Sequence, residues 1–422
     1  MKIVIIGLFK EEDPHREALI RDFKGEINHL LKETHQIKVL TNIPKEQLLP
    51  EEDVNETQCK WYRWPIDEEE PKKFLKKQLS EQELCLVHTS FGGTYTNESS
   101  DELGDDIKVL KEVQKETPQI GWIFKSVTSC ARSKAPIYPR VAENEANPSG
   151  VYLFPCYEEI LPASHTYQVR EGQCHVVYPT IDITEQLHPH LRGLVEEYAL
   201  MKAELLAVCV GGLRGNSGIE QVIKLIATTR YITCKSIKLV VWDIEEKTTE
   251  LSKHYKEELR EIGIDYGLSA KSDLVFVSDY KEQKPFKQGN LQELLYLSDL
   301  YIEASLCTST GIHFIEAARA GNFLIVNKEI NLLAKLGRMY GAYLMAWDRW
   351  GQPIREKVSE GENEPTYYAR EAKKINDQLE TNPIVRARGL TRQYFNRDWV
   401  YENQIIGLLE EAKNKATQML SK

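Results

Sequence analysis

LQELLYLSDLYIEASLCTSTGIHFIEAARAGNFLIVNK, residues 291–328, reads in succession as a short helix, a strand, a polar loop, a second helix and a second strand. Leu291–Leu297 is the first helix and Leu300–Ala304 the strand. Ser305, Thr308, Ser309 and Thr310 form the loop, and Gly311 opens a helix over Ile312–Ala320. Gly321 closes that helix, as glycine does at helix C-termini, and Leu324–Val326 is the next strand. Strand, helix and strand in this order imply parallel β-α-β units with right-handed crossovers.

The same alternation extends in both directions. Leu205–Val210 is strand-like and runs into GGLRGNSG at 211–218, then into a helix through Val222, Ile223 and Ile226. Ile237–Trp242 and Leu274–Val277 are strands. Nearer the N-terminus, Lys2–Ile6 and Ile37–Leu40 are strands flanking Leu19, Ile20, Phe23, Ile27, Leu30 and Leu31, which recur at helical spacing as one apolar stripe. Leu84–Val87, Ile120–Phe124 and Val151–Phe154 are further short apolar runs. Residues 43–80, rich in Pro, Glu and Lys, are expected to form exposed surface structure, and 126–150 a long loop. A chain of 422 residues is too long for one ordinary core. The expected fold is α/β, with two doubly wound, Rossmann-like domains covering 1–190 and 191–390. Such folds bind ligands at the carboxyl ends of their strands.

Hydrophobic residues make up 41% and charged residues 28%, as in a folded globular protein. The net charge of −10 opposes non-specific association with nucleic acid or anionic membrane, while leaving a local basic groove open. Eight cysteines (Cys59, Cys85, Cys130, Cys156, Cys174, Cys209, Cys234 and Cys307) are scattered with no C-x-x-C pair. Reduced, mostly buried thiols of a cytoplasmic protein are expected, not a disulfide frame or zinc site. Two glycosylation sequons, at Asn55 and Asn97, have no secretion signal to act on. The apolar start, MKIVIIGLFKEED, meets charge too soon for a signal peptide, and no stretch reaches the ~20 apolar residues that span a bilayer. A soluble protein is expected.

Chemistry concentrates where the strand at 300–304 meets the helix at Gly311. A helix N-terminus offers unpaired N–H groups and a partial positive charge, and glycine lets a phosphate approach the backbone. Glu316 lies five residues further on, where a carboxylate can accept hydrogen bonds from two adjacent hydroxyls, as on a ribose.

The block resembles the donor-nucleotide signature of the retaining GT-B glycosyltransferases related to glycogen and sucrose synthases. Asp299, Ser305, Gly311, Glu316, Ala317 and Gly321 stand in that signature's order and spacing. The resemblance extends to THQIKVLT with His35, to LCLVHTS with His88, to VVYPTIDIT with Asp182, and to NPIVRARGLTRQYFNRDW with Trp399. It implies two domains facing a cleft, with helices from 391–422 returning to the first domain. It also implies a nucleotide-sugar donor (UDP- or GDP-linked) on the second domain, with the ribose on Glu316 and the diphosphate or sugar against Thr310, Gly311 and Ile312. His88 would reach the donor sugar. Retention, with no metal and no other cofactor, follows from the same resemblance, as does hexosyl or pentosyl transfer without a protein nucleophile.

The sequence departs from that family at three places. Thr308 replaces the glutamate that contacts the donor sugar, and Gly212 and Ser217 replace the Arg and Lys that neutralise the diphosphate. Arg214, inside the same glycine-rich loop, is the expected substitute cation. These departures keep a catalytically silent nucleotide-sugar binder as an alternative, beside a related GT-B epimerase or phosphorylase.

Lys125, Arg132, Lys134 and Arg140 form a stretch without acids. It is either an ordinary basic loop or a contact for an anionic acceptor, DNA included, as in phage enzymes of this fold that glycosylate modified bases. Trp61, Tyr62 and Trp64 either stack on a ligand or pack on their own domain. His188 and His190 lack partner ligands and are expected to be structural. Glu303 is an odd charge in an apolar strand. Signatures of P-loop NTPases, serine hydrolases and zinc proteases are missing from the sequence.

Overall fold

A computed structural model describes residues 1–9, 16–33, 35–48, 58–64, 70–89, 109–110, 112–126, 150–161, 171–244, 249–280, 286–306, 309–347 and 364–420. The chain forms two units, Met1–Asp182 with Tyr394–Lys422, and Ile183–Gln393. The change-over falls at Asp182 rather than near 190 because Ile183 and Leu187 already pack against the core of the second unit.

In the first unit, strands β1 (Lys2–Leu8), β2 (Gln36–Thr41), β3 (Cys59–Arg63), β4 (Leu84–Thr89), β5 (Gly121–Ser126), β6 (Val151–Phe154) and β7 (Cys174–Val176) form one sheet. Their order is β3-β2-β1-β4-β5-β6-β7 and every pairing is parallel. Consecutive residues of β1 serve opposite faces: Ile3 and Ile5 join one apolar core, Val4 and Ile6 another. With helices on both faces, a parallel strand has no solvent side, which is why these strands read as unbroken apolar runs. Helix α1 (Arg16–Lys32) buries Leu19, Phe23, Ile27 and Leu30 along one stripe against the first of these cores. The segment after residue 393 adds Val400, Tyr401, Ile405, Leu409 and Ala412 to the same core.

Residues 43–80 contain more than surface structure. β3 lies within them and sends Trp61 to one face of the sheet and Tyr62 to the other, where Trp64, the residue after the strand, also packs. Trp64 is buried. The three aromatics are therefore packing residues at an edge strand, with period-2 alternation.

The second unit repeats the plan. Strands β8 (Leu205–Val210), β9 (Ile237–Trp242), β10 (Leu274–Phe276), β11 (Leu300–Glu303), β12 (Phe323–Asn327) and β13 (Tyr343–Met345) are parallel, in the order β10-β9-β8-β11-β12-β13. Chain direction across the sheet reverses between β8 and β11, the switch point at which open α/β sheets leave a crevice beyond their strand ends. Both units are thus doubly wound and Rossmann-like.

Buried polar groups fix the layers. Asp299, at the head of β11, accepts the Leu206 N–H at 2.8 Å and is clamped by Arg392. Burial pushes its carboxyl up in spite of that arginine. Asp299, singled out by the resemblance, therefore pins three segments of the second unit together. His188 caps the helix Pro189–Glu197 by accepting the His190 N–H at 3.3 Å. Cys59, Cys85, Cys156, Cys174, Cys209 and Cys234 are free thiols. Cys130 and Cys307, with Arg132, Lys134 and Arg140, lie outside the described residues. Among the described residues, no helix is long and apolar enough to cross a membrane.

Candidate functional site

The site is built at the switch point of the second unit. β8 ends at Val210 and the chain turns through Gly211–Gly218 before helix α2 (Ile219–Thr233). The turn is held by its own backbone: the Arg214 N–H reaches Gly212 O at 2.8 Å and the Ser217 N–H reaches Arg214 O at 2.9 Å. It is also tied to the neighbouring strand, because the Leu306 N–H donates to Asn216 O at 3.0 Å. Gly218 has φ +76°, and a Cβ there would collide with the Ala304 carbonyl. Only glycine allows this crossing. Gly218→Ala is expected to destabilise the second unit by more than about 1 kcal/mol and to loosen the turn; urea unfolding of the variant checks it, and an unchanged midpoint would contradict the packing.

Beyond β11 the chain passes through Ala304–Leu306 and, after residue 308, through Ser309 and Thr310 to helix α3 (Ile312–Ala320). Gly311 is the N-cap at φ +70°. Its N–H donates to Ser309 Oγ at 2.9 Å, and Ile315 N–H closes the first turn on Gly311 O at 3.1 Å. Gly311 is buried, and a Cβ on it would meet Leu336 at 2.7 Å. Its glycine requirement therefore comes from positive φ and from Leu336, not from an open approach for phosphate.

Between the two turns lies a cavity of about 480 Å³, within the range that holds small-molecule ligands. Gly212, Arg214, Glu303, Ser309, Thr310 and His313 are among its lining residues. Trp242, at the end of β9, Ile244 just beyond it, and Gln288, opening helix α4 (Gln288–Leu297), add to the wall. The lining is largely polar, which suits phosphates and hydroxyls.

Of the residues expected from sequence, Gly212, Arg214 and Thr310 meet at this cavity. Ile312 turns its side chain to solvent, and its N–H lies 3.5 Å from Thr310 Oγ1. Thr308 lies outside the described residues. Glu316 stands a turn behind the lining. Its carboxylate accepts from Gln288 Nε2 at 3.0 and 3.2 Å and from Gln292 Nε2 at 3.0 Å, and lies 3.1 Å from His313 Nδ1. Burial pushes this carboxyl up, but the donors Gln292, His313 and Gln288 outweigh burial and hold it below the usual range. An ionised carboxylate is thus coupled through Gln288 and His313 to the cavity wall.

His88 is placed elsewhere, in the first unit, with no solvent-exposed side-chain surface. The register aligns it with Gly7 on β1 and Lys125 on β5, so all three face α1. There its Nε2 meets Glu26, its Nδ1 lies 4.0 Å from Asp22, and Phe23 stands edge-on at 5.0 Å. Lys125 Nζ lies 2.9 Å from Asp22 and 3.1 Å from Glu26. Thr180 Oγ1 donates to the remaining Asp22 oxygen at 2.9 Å. Asp22, Glu26 and His88 have the mutual spacing of metal ligands, yet the Lys125 ammonium already lies against both carboxylates. The geometry is that of a buried charge cluster and offers His88 no surface toward a sugar. Lys125 is likewise neutralised inside the fold, so it adds no charge to a basic surface. His35, Asp182 and Trp399 also serve the first unit: His35 Nδ1 lies 3.2 Å from the Met1 amine, Asp182 lies 4.0 Å from Arg397, and Trp399 packs on the core.

Gln288, Gln292, Trp242, Ser309 and His313 were not singled out from sequence as site residues. The i, i+4 spacing of the two glutamines toward one carboxylate was a readable signal; the ring at the end of β9 was not, since terminal tryptophans are ordinary core residues.

No family model matches the chain, and no curated protein does. Among solved structures it is similar to a glycosyltransferase from Rickettsia africae ESF-5, at 12% identity over 98% of this chain and 99% of the other, with a TM-score of 0.36. Anabaena Alr3699/HepE in complex with UDP and glucose matches at 13% identity over 97% and 99%, with a TM-score of 0.34. An E. coli structure described as trehalose-6-phosphate bound with UDP-2-fluoro glucose matches at 12% identity over 99% of each chain, also at 0.34. At these TM-scores the likeness fixes neither the family nor the activity of this chain.

Proposed function

We propose that the chain is a GT-B-type glycosyltransferase that binds a nucleoside diphosphate sugar in the second unit. One observation carries this reading: at the β8/β11 switch point, a single cavity is lined by an arginine-bearing glycine turn and by the first turn of α3, and two of its lining residues, Gln288 and His313, contact the Glu316 carboxylate that stands behind it. The helix end and Arg214 match a diphosphate, which prefers N–H donors and a planar guanidinium. Glu316 matches a ribose diol once Gln288 and Gln292 yield their hydrogen bonds. Trp242 and Ile244 offer a flat apolar wall for the base. Hexosyl or pentosyl transfer with retention, without a divalent cation, belongs to the same proposal, with the acceptor bound by the first unit. Free cysteines on both units suit a cytoplasmic enzyme. The anionic-acceptor reading, DNA included, is weaker than the sequence suggests, because Lys125 is bound internally.

The test is thermal unfolding with UDP, GDP and their hexose and pentose conjugates. A nucleoside diphosphate at a hundred times its Kd is expected to stabilise the protein by about 2.7 kcal/mol, and Glu316→Ala to remove most of that shift. Stabilisation by no nucleotide overturns the reading. Stabilisation without turnover of any sugar conjugate reassigns the chain to a silent binder.

A further inference from the structure

Glu303 is a carboxyl at the end of a strand whose other residues are Leu300, Tyr301 and Ile302. Among the described residues lining the cavity it is the one carboxylate. Carboxylates retained inside proteins for structure are normally paired with Lys or Arg. The hydrogen bonds on Glu303 come from hydroxyls: Tyr301 Oη donates to Oε2 at 3.1 Å, and Ser309 Oγ donates to Oε1. Each carboxyl oxygen carries two lone pairs, so one hydroxyl on each leaves acceptor capacity at the cavity. Burial raises the Glu303 carboxyl more than Ser309 and Tyr301 lower it, which draws it toward the neutral acid that donates as well as accepts.

A phosphate gains little from such a group, and the cavity already offers Arg214 and the α3 terminus to phosphate. A sugar hydroxyl, which both donates and accepts, is its natural partner. Resting on the donor-site reading above, we infer that Glu303 is a specificity-determining residue that binds hydroxyls of the transferred sugar and selects among nucleotide sugars with the same base. Ser309, which contacts Glu303 and accepts the Gly311 N–H, joins this contact to the head of α3 in one hydrogen-bonded chain.

Calorimetric titration of wild type, Glu303→Gln and Glu303→Ala with UDP, UDP-glucose and UDP-xylose, and with GDP and GDP-mannose, tests the assignment. Glu303→Ala is expected to bind the free nucleoside diphosphate within about twofold of wild type and to lose about tenfold in affinity for its sugar conjugate. Glu303→Gln, which keeps one acceptor oxygen and gains a fixed donor, is expected to fall between and to change the ranking of the sugars. Equal loss of nucleotide and conjugate overturns the proposal, as does no change in either. If Glu303→Ala fails to fold, the ratio of the two affinities in Glu303→Gln decides: a ratio equal to wild type, with unchanged ranking, overturns it. A wild-type protein that binds no nucleoside diphosphate fails at the donor-site reading itself and takes this proposal with it.

Discussion

Arg214→Ala is expected to lower kcat for sugar transfer by about 10²–10³-fold, the usual loss when a donor aimed at developing charge is removed. In the proposed transfer the leaving diphosphate would gain charge as the glycosidic bond breaks, and Arg214 is the one arginine or lysine among the described lining residues. Its backbone is held from both sides, by Gly212 O and by the Ser217 N–H, so the side chain leaves the turn from a fixed root. Arg214→Lys, which keeps the charge and loses the bidentate fork, is expected to recover part of the rate. Single-turnover kinetics at saturating donor check this, with chelator present in a parallel series. Loss of wild-type activity to chelator would transfer the charge-neutralising role to a divalent ion. A higher KM with unchanged kcat would mean that Arg214 holds only the ground state.

Lys125→Met is expected to destabilise the first unit by about 3–5 kcal/mol at neutral pH, because Asp22 and Glu26 would remain buried without their ammonium. Burial pushes Glu26 up, but the charges of His88 and Lys125, with hydrogen bonds from His88 and Tyr401, outweigh it and leave this carboxyl well below the usual range. A depressed folded pKa stabilises the fold above the unfolded value of about 4.3 and gives that stability up as pH falls through the folded value. Burial alone would lower Lys125, yet Asp22 and Glu26 raise it, so its contribution persists to alkaline pH and is lost only as pH rises through its folded value. In Lys125→Met, Glu26 has less to lose to acid. The gap between wild type and variant should narrow below about pH 4. Urea unfolding at two pH values measures it; an equal gap at both would show that the ammonium is not the cluster's balancing charge.

Long strands flanked by long helices were legible because both faces of each sheet are covered. Val151–Phe154, Leu205–Val210 and Ile237–Trp242 have the same limits in sequence and structure. β3, β7 and β13 were not legible: Cys59–Arg63 mixes charge with aromatics, and the other two are three residues long with only one residue of each buried, unlike the wholly buried Leu274–Phe276. At the site, the glycine turn and the strand–helix junction could be read as a ligand cradle, since positive φ and strand ends leave local marks. The fate of His88 could not be read. It ends an apolar run just as a ligand contact would, and only the register that sets Gly7, His88 and Lys125 beneath one face of α1 shows what it meets. Glu303 illustrates the reverse: a charge that interrupts an apolar strand marked a place where the lining of a cavity overrides core composition.

The first unit is assembled from two pieces of chain separated by the whole of the second, and its core includes side chains from Val400 to Ala412. A ribosome releasing this polypeptide delivers all of Ile183–Gln393 before those side chains exist. The later-made unit can therefore finish folding first, while the unit built on β1–β7 waits, with one flank of its sheet bare, for Val400–Ala412 to emerge. Loss of Val400–Ala412 then damages a unit most of which was synthesised before the second.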